Sequence, residues 1–242
     1  MLTSAPTSER VTPLGGAEGS AGPAPSAQGL RVAIVSDAAP ERNGVGTYYR
    51  DLAEHLKAAG AKVELISPRF RAGNWYGGLA LPMPGDPTQK FLFPTPWLIG
   101  RRLERLSPNA MIVPTPGPFG MLGMLYARRH KTRLVVGFHT HFERLAAQNK
   151  EWRVFGVIAQ TYLNACHRSL FRAGSLVLVN SGEMLDVARE IGADKVGLMG
   201  TSIPKRFLDR PVRPIEGSIR QVLFAGRLAP EKNLGAVFEA AE

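Results

Sequence analysis

Residues 31–60 read Arg-Val-Ala-Ile-Val-Ser-Asp-Ala-Ala-Pro-Glu-Arg-Asn-Gly-Val-Gly-Thr-Tyr-Tyr-Arg-Asp-Leu-Ala-Glu-His-Leu-Lys-Ala-Ala-Gly. Val32 to Val35 is an apolar run long enough for a buried strand. A Pro- and Gly-containing loop follows. Tyr49, Leu52, Ala53, Leu56 and Ala59 then recur at helical spacing, and Gly60 stops the helix. A second apolar strand, Lys62 to Ser67, comes at once. Strand, Gly loop, helix, strand predicts a right-handed parallel unit. Its loop falls where open α/β sheets bind ligands, beyond the carboxyl end of a strand.

The rest of the chain extends this pattern. Strands are expected over 109–114, 133–138, 176–179 and 195–199, and helices over 119–130, 151–172 and 181–191. Asn180 with Glu183 reads as a capping box. Residues 1–29, rich in Ala, Gly, Pro and Ser without periodicity, read as a disordered leader. Residues 30–208 read as an N-terminal Rossmann-like domain, and 209–218, with Pro211, Pro214 and Gly217, as a linker. Residues 219–242 read as the first strand (Ile219 to Ala225) and helix (from about Leu234) of a second domain. One strand and one helix cannot bury their own faces, so that domain is expected to be incomplete. Residues 68–100, dense in Gly and Pro, are expected to be an irregular, functional loop. They carry Trp75, Tyr76, Phe91, Phe93 and Trp97, and lead into a short helix with Arg101, Arg102 and Arg105.

Composition narrows the function. Of 242 residues, 44% are apolar, enough for a real core, and the single cysteine excludes a disulfide framework. The N-terminus lacks the layout of a signal peptide, so a cytoplasmic location is expected. Residues 107–127 carry no charge, but Pro114, Pro116 and Pro118 favour strand, turn and helix over a membrane span. The net charge of +10, from 30 basic and 20 acidic residues, favours anionic partners. Nucleic acid is not expected, since RNA-binding aromatics, zinc-finger spacing and basic heptads are all missing. An anionic membrane surface, met peripherally by the aromatic loop and its arginines, is one reading. An ordinary solvated basic helix is the other.

Three sets of residues could carry chemistry. Asn43-Gly44-Val45-Gly46 would let the backbone approach a phosphate at a helix N-terminus, or is simply a tight turn. A dinucleotide fingerprint fails there, because Tyr49 stands where its third glycine would be, and Ser67-Pro68 replaces the acidic ribose ligand. His139 and His141 alternate to one side of a strand end. Metal binding with Cys166 lacks a further placed ligand, so no metal is expected. His139 fits better as a hydrogen-bonding group facing a cleft, and His141 as a structural histidine. Arg227 and Lys232 flank a strand-to-helix loop beside Gly226, fitting a diphosphate or a solvated turn. No Gly-x-Ser-x-Gly elbow or P-loop occurs.

Together these pieces resemble the retaining glycosyltransferases of family four, which have the two-domain GT-B fold. The resemblance is carried by Asn43-Gly44-Val45-Gly46, Pro114-Thr-Pro-Gly-Pro-Phe-Gly120, Gly137-Phe-His-Thr-His-Phe142, Asn180-Ser-Gly-Glu183 and Phe224-Ala-Gly-Arg-Leu-Ala-Pro-Glu-Lys-Asn-Leu234. It spans about Leu30 to Glu242. The Pro-Gly-Pro and His-Thr stretches look like the branch with GDP-mannose-dependent α-mannosyltransferases and sulfoquinovosyl transferases. The resemblance implies that Arg227 and Lys232 neutralise a donor diphosphate, that Gly44 and Gly46 approach the same phosphates, and that His139 sits beside the donor sugar. It implies no cofactor beyond a nucleotide-sugar substrate such as GDP-mannose or UDP-glucose, and front-face substitution with retention. Two departures stand out. The family's second domain carries a Glu-x7-Glu motif, which is expected to lie past the last residue of this sequence, and Gly200-Thr201-Ser202-Ile203 replaces the usual Gly-Val-Asp-like turn.

The resulting expectation is a glycosyltransferase, or its front part, moving a hexose to a lipid or polysaccharide acceptor held by the N-terminal domain. By itself the chain is expected to show no transfer. The alternative is a non-catalytic, acceptor- or membrane-binding module completed by a partner chain. An NAD-dependent oxidoreductase is disfavoured by the broken fingerprint.

Overall fold

The computed structural model describes residues 26–83, 86–139 and 155–209, together with 211, 221, 223–224 and 233–240. The chain divides into two compact units, Met1–Pro204 and Lys205–Glu242. In the first, β1 (Arg31–Val35) leads to α1 (Gly44–Ala58) and β2 (Lys62–Ile66). The short strands β3 (Arg69–Arg71), β4 (Asn74–Tyr76), β5 (Gly78–Met83) and β6 (Asp86–Pro94) follow, then α2 (Pro96–Leu106). Next come β7 (Ala110–Val113), α3 (Pro118–Arg129), β8 (Arg133–Phe138) and α4 (Phe155–Ala173). The unit closes with β9 (Leu176–Val179), α5 (Gly182–Ile191) and β10 (Val196–Leu198). The second unit contains α6 (Lys205–Leu208) and α7 (Leu234–Glu239).

Six strands form one parallel sheet in the order β10-β9-β8-β7-β1-β2. This is the α/β, Rossmann-like sheet that the apolar runs predict. The order reverses between β1 and β7, so the chain leaves β1 in one direction and returns beside it from the other. Alternate residues of each strand serve opposite faces. On one face, Val32 and Ile34 pack with Tyr49 and Ala53 of α1. On the other, Ala33, Val35, Met111, Val113 and Val136 pack against Leu103, Phe119, Leu170, Phe171 and Leu185 from α2, α3, α4 and α5. Two-sided burial explains why these strands read as continuous apolar runs.

The structure corrects several boundaries. Residues 69–83 and 86–100 are not the irregular loop expected. β3 pairs antiparallel with β4, and β5 with β6. The Ala72-Gly73 turn of the first hairpin has positive φ at both residues, 47° and 78°, which is the hairpin geometry that matches strand twist. Gly73 and Gly77 lie between strands, whereas Gly78, Pro82, Pro87 and Pro94 lie within them, and the aromatics around them are strand formers. The capping box at Asn180 does not form as expected. Ser181 is the N-cap of α5, with no side-chain capping bond. Leu223 and Phe224 are not in a strand. Gln221 is not in a strand either, and the remainder of that expected strand, most of the expected linker, and residues 151–154 of the long helix lie outside the described residues. Among the described residues, no helix is long and apolar enough to cross a membrane.

Candidate active site

The reversal between β1 and β7 opens a crevice at the carboxyl ends of these strands, where sheets of this kind bind ligands. The loop after β1 forms one wall, and its own hydrogen bonds hold it. Ser36 N–H donates to Ile66 O at 3.0 Å, and Ser36 Oγ accepts from Ala38 N–H at 3.0 Å. The Arg42 and Asn43 N–H groups both donate to Ala39 O, and Thr47 Oγ1 donates to Pro40 O at 2.8 Å.

Asn43 is the N-cap of α1, and its Oδ1 accepts from Gly46 N–H at 2.8 Å. The helix therefore begins at Gly44, earlier than apolar spacing indicates, because the capping side chain sets its start. The two glycines then differ. A Cβ on Gly46 would stand 2.6 Å from the carbonyl of Ala39, so the residue is fixed by packing and its N–H by the cap. A Cβ on Gly44 would meet open space. The N–H groups of Gly44 and Val45 have no protein partner among the described residues, leaving the positive end of the helix dipole open.

Asp37, which the sequence reading did not single out, joins the two walls. Its N–H donates to Thr115 Oγ1 at 2.7 Å, and that hydroxyl donates back to Asp37 Oδ2 at 2.7 Å. The carboxylate also accepts from Phe119 N–H at 2.7 Å and Gly120 N–H at 3.1 Å, in the first turn of α3. The N-cap of that helix, Gly117, has no side chain to offer, so Asp37 caps the helix from the loop after β1. The Pro-Gly-Pro-Phe-Gly run follows from this. A Cβ on Gly117 would stand 2.5 Å from the carboxyl carbon of Asp37. Desolvation lifts the Asp37 carboxyl from 3.8 to about 6, against the lowering effect of its hydrogen bonds to Thr115, Phe119, Gly120 and Gly117.

His139 ends β8 on the far side of β7. Its Nε2 lies 2.7 Å from the Tyr49 hydroxyl, with the rings edge to face at 5.3 Å. Tyr49 is fully buried, and burial pushes its phenol far up, so it keeps its proton. That proton has no other acceptor among the described residues, so Tyr49 donates and Nε2 accepts. Nδ1 of His139 then carries the N–H. Desolvation lowers His139 from 6.5 to about 4, so the imidazole is neutral at physiological pH. The same contact explains why Tyr49 stands where a dinucleotide fingerprint would have glycine. The ring reaches across to β8, and space for its hydroxyl is made at Gly137, where a Cβ would overlap it.

Tyr49→Phe should raise the His139 midpoint above about 4, because the neutral form loses a donor. It should also cost about 1 kcal/mol of stability. An NMR titration of the His139 ring protons and urea unfolding check both. An unchanged midpoint would show that the hydrogen bond does not hold the ring neutral.

The same helix holds the chain as it leaves the sheet. Tyr48 O–H donates to Gly200 O at 2.9 Å, and His55 Nε2–H donates to Ile203 O at 2.7 Å. The Gly200-Thr201-Ser202-Ile203 segment is thus tied to α1. Cys166 is buried and bonded to Tyr162, with its thiol pushed up by burial. No group of three possible metal ligands occurs among the described residues. Gly44 and Gly46 therefore lie in the first turn of α1, and His139, directly after β8, meets the same helix through Tyr49. His141, Arg227 and Lys232 lie outside the described residues. Asp37 left no periodic signal; its one cue was an acidic residue directly after a buried strand.

None of the curated proteins matches the chain. A family model described as Glycosyltransferase Family 4 matches residues 42–199, from the cap of α1 through β10, and this covers well over half the chain. With its six-stranded parallel sheet and this match over most of its length, the chain belongs to glycosyltransferase family 4 and is a glycosyltransferase.

Proposed function

We propose that the protein transfers a hexose, mannose or glucose, from a nucleotide sugar such as GDP-mannose or UDP-glucose to a lipid or polysaccharide acceptor, with retention. One observation carries this reading: α1 has unpartnered N–H groups at Gly44 and Val45 and, about one turn further on, Tyr49 of the same helix bonds a histidine that is neutral at physiological pH. A departing diphosphate needs donors and positive charge, which the helix N-terminus offers, with Arg227 and Lys232 as further cations. A histidine with a midpoint near 4 is a poor proton acceptor at neutral pH. His139 accordingly acts as a hydrogen-bond donor through Nδ1 to the sugar, and the leaving phosphate takes the acceptor's proton. That proton route is what front-face substitution with retention requires. The protein works at the cytoplasmic face of a membrane when its acceptor is a lipid.

Calorimetric titration with GDP-mannose, UDP-glucose and NAD tests the donor class. A nucleotide sugar is expected to bind, and NAD is not. Gly44→Ala should leave stability unchanged, since its Cβ meets open space, yet weaken nucleotide-sugar binding about tenfold by standing off the diphosphate. Equal affinity for the variant would remove the diphosphate from the N-terminus of α1.

A further inference from the structure

A second cavity, of about 340 Å³, lies beyond the carboxyl end of β2, walled by α2 and by Phe119 of α3. Its polar lining carries one sign of charge. Arg101, Arg102 and Arg105 face it, and no acidic residue does. Arg102 is occupied, its Nε donating to Glu64 and a terminal nitrogen to Leu65 O. Arg101 and Arg105 have no ion pair or hydrogen bond among the described residues, and neither do the lining hydroxyls of Ser67 and Thr95.

The rim is apolar. Trp97, Arg101 and Arg105 recur every four residues and share one stripe of α2. Trp97 is 67% exposed and Leu98 is 53% exposed. The adjoining hairpin adds Leu79 and Phe93, which pair across β5 and β6 and are both exposed. Its other face carries Leu92 into the core. Two exposed guanidiniums without a protein partner and two free hydroxyls, set beside apolar side chains, match a phosphate ester attached to hydrocarbon. Phe119 connects this cavity to the crevice, since its side chain lines the former while its N–H is held by Asp37.

We infer that this cavity binds the phosphate ester of a membrane lipid, with Arg101 and Arg105 on the phosphate and Trp97, Leu98 and the outer hairpin face against the lipid chains. The inference rests on the glycosyl-transfer reading in one respect: the bound lipid is taken as the acceptor.

The test uses the full chain with vesicles of phosphatidylcholine containing a minority of phosphatidic acid, and soluble sn-glycerol 3-phosphate. The chain should bind the vesicles in proportion to their phosphatidic acid. Replacing both cavity arginines (Arg101→Gln with Arg105→Gln) should weaken this about thirtyfold, whereas Arg128→Gln with Arg129→Gln, which removes the same charge at the end of α3, should weaken it far less. Equal losses in the two pairs, or no dependence on phosphatidic acid, would overturn the inference. Tight binding of glycerol 3-phosphate without vesicle binding would overturn the lipid source. Nucleotide-sugar titrations on the same variants should be unaltered. If no nucleotide sugar binds any variant while the vesicle result holds, the transfer reading falls and the phosphate cavity stands.

Discussion

Gly120→Ala is expected to cost at least about 3 kcal/mol of stability, because overpacking here meets main chain that has nowhere to move. Gly100→Ala, the same change inside another helix, is expected to add up to about 1 kcal/mol. Both glycines sit in regular helices, so propensity alone predicts a gain at each. The surroundings reverse the sign at one of them. A Cβ on Gly120 would overlap the carbonyl oxygen of Thr115 and press on Val113. Thr115 cannot retreat, since its hydroxyl is bonded on both sides to Asp37. At Gly100 a Cβ would meet nothing within 4 Å. Urea unfolding of both variants decides the point, and a stabilised Gly120→Ala would mean that β7 and α3 are not packed as described.

Acidification from pH 7 to pH 4 is expected to remove about 2 to 3 kcal/mol more stability from Asp37→Asn than from the unsubstituted protein. Two buried groups titrate in that window with opposite signs. Asp37 is raised to about 6 in the folded state from 3.8. Its contribution is fully present below 3.8 and is lost as pH rises through about 6. His139 is lowered to about 4 from 6.5. Its contribution is present above 6.5 and is lost as pH falls through about 4. Together they nearly cancel. Asparagine at position 37 removes one partner and exposes the acid sensitivity of the other. His139→Gln should do the reverse, gaining stability relative to the parent as pH falls. Urea unfolding across this range checks both, and parallel profiles for all three proteins would rule out the two shifted groups.

The sheet was legible because a parallel strand buried on both faces must be apolar throughout. Val32 to Val35, Leu134 to Phe138 and Leu176 to Val179 show this without any knowledge of their neighbours. Periodicity likewise announces α1 and α3, and a glycine after each of α1 and α5 marks where they stop. The hairpins of residues 69–94 were hidden, since β pairing is a relation between segments and their Gly and Pro residues read as an irregular loop.

The site divides along the same line. The Asn43-Gly44-Val45-Gly46 loop and His139 were legible from their places at the ends of elements. What they do was not. Only the tertiary structure separates Gly46, fixed by Ala39 and the Asn43 cap, from Gly44, which faces open space. Only it shows Asp37 capping a helix that begins 81 residues later in the chain, at Pro118, and Tyr49 fitted against the bare backbone of Gly137. Local sequence determines which segments are buried, because burial is a property of each residue's own chemistry. Which buried groups meet, and therefore which carry a shifted charge, depends on contacts made across long stretches of chain.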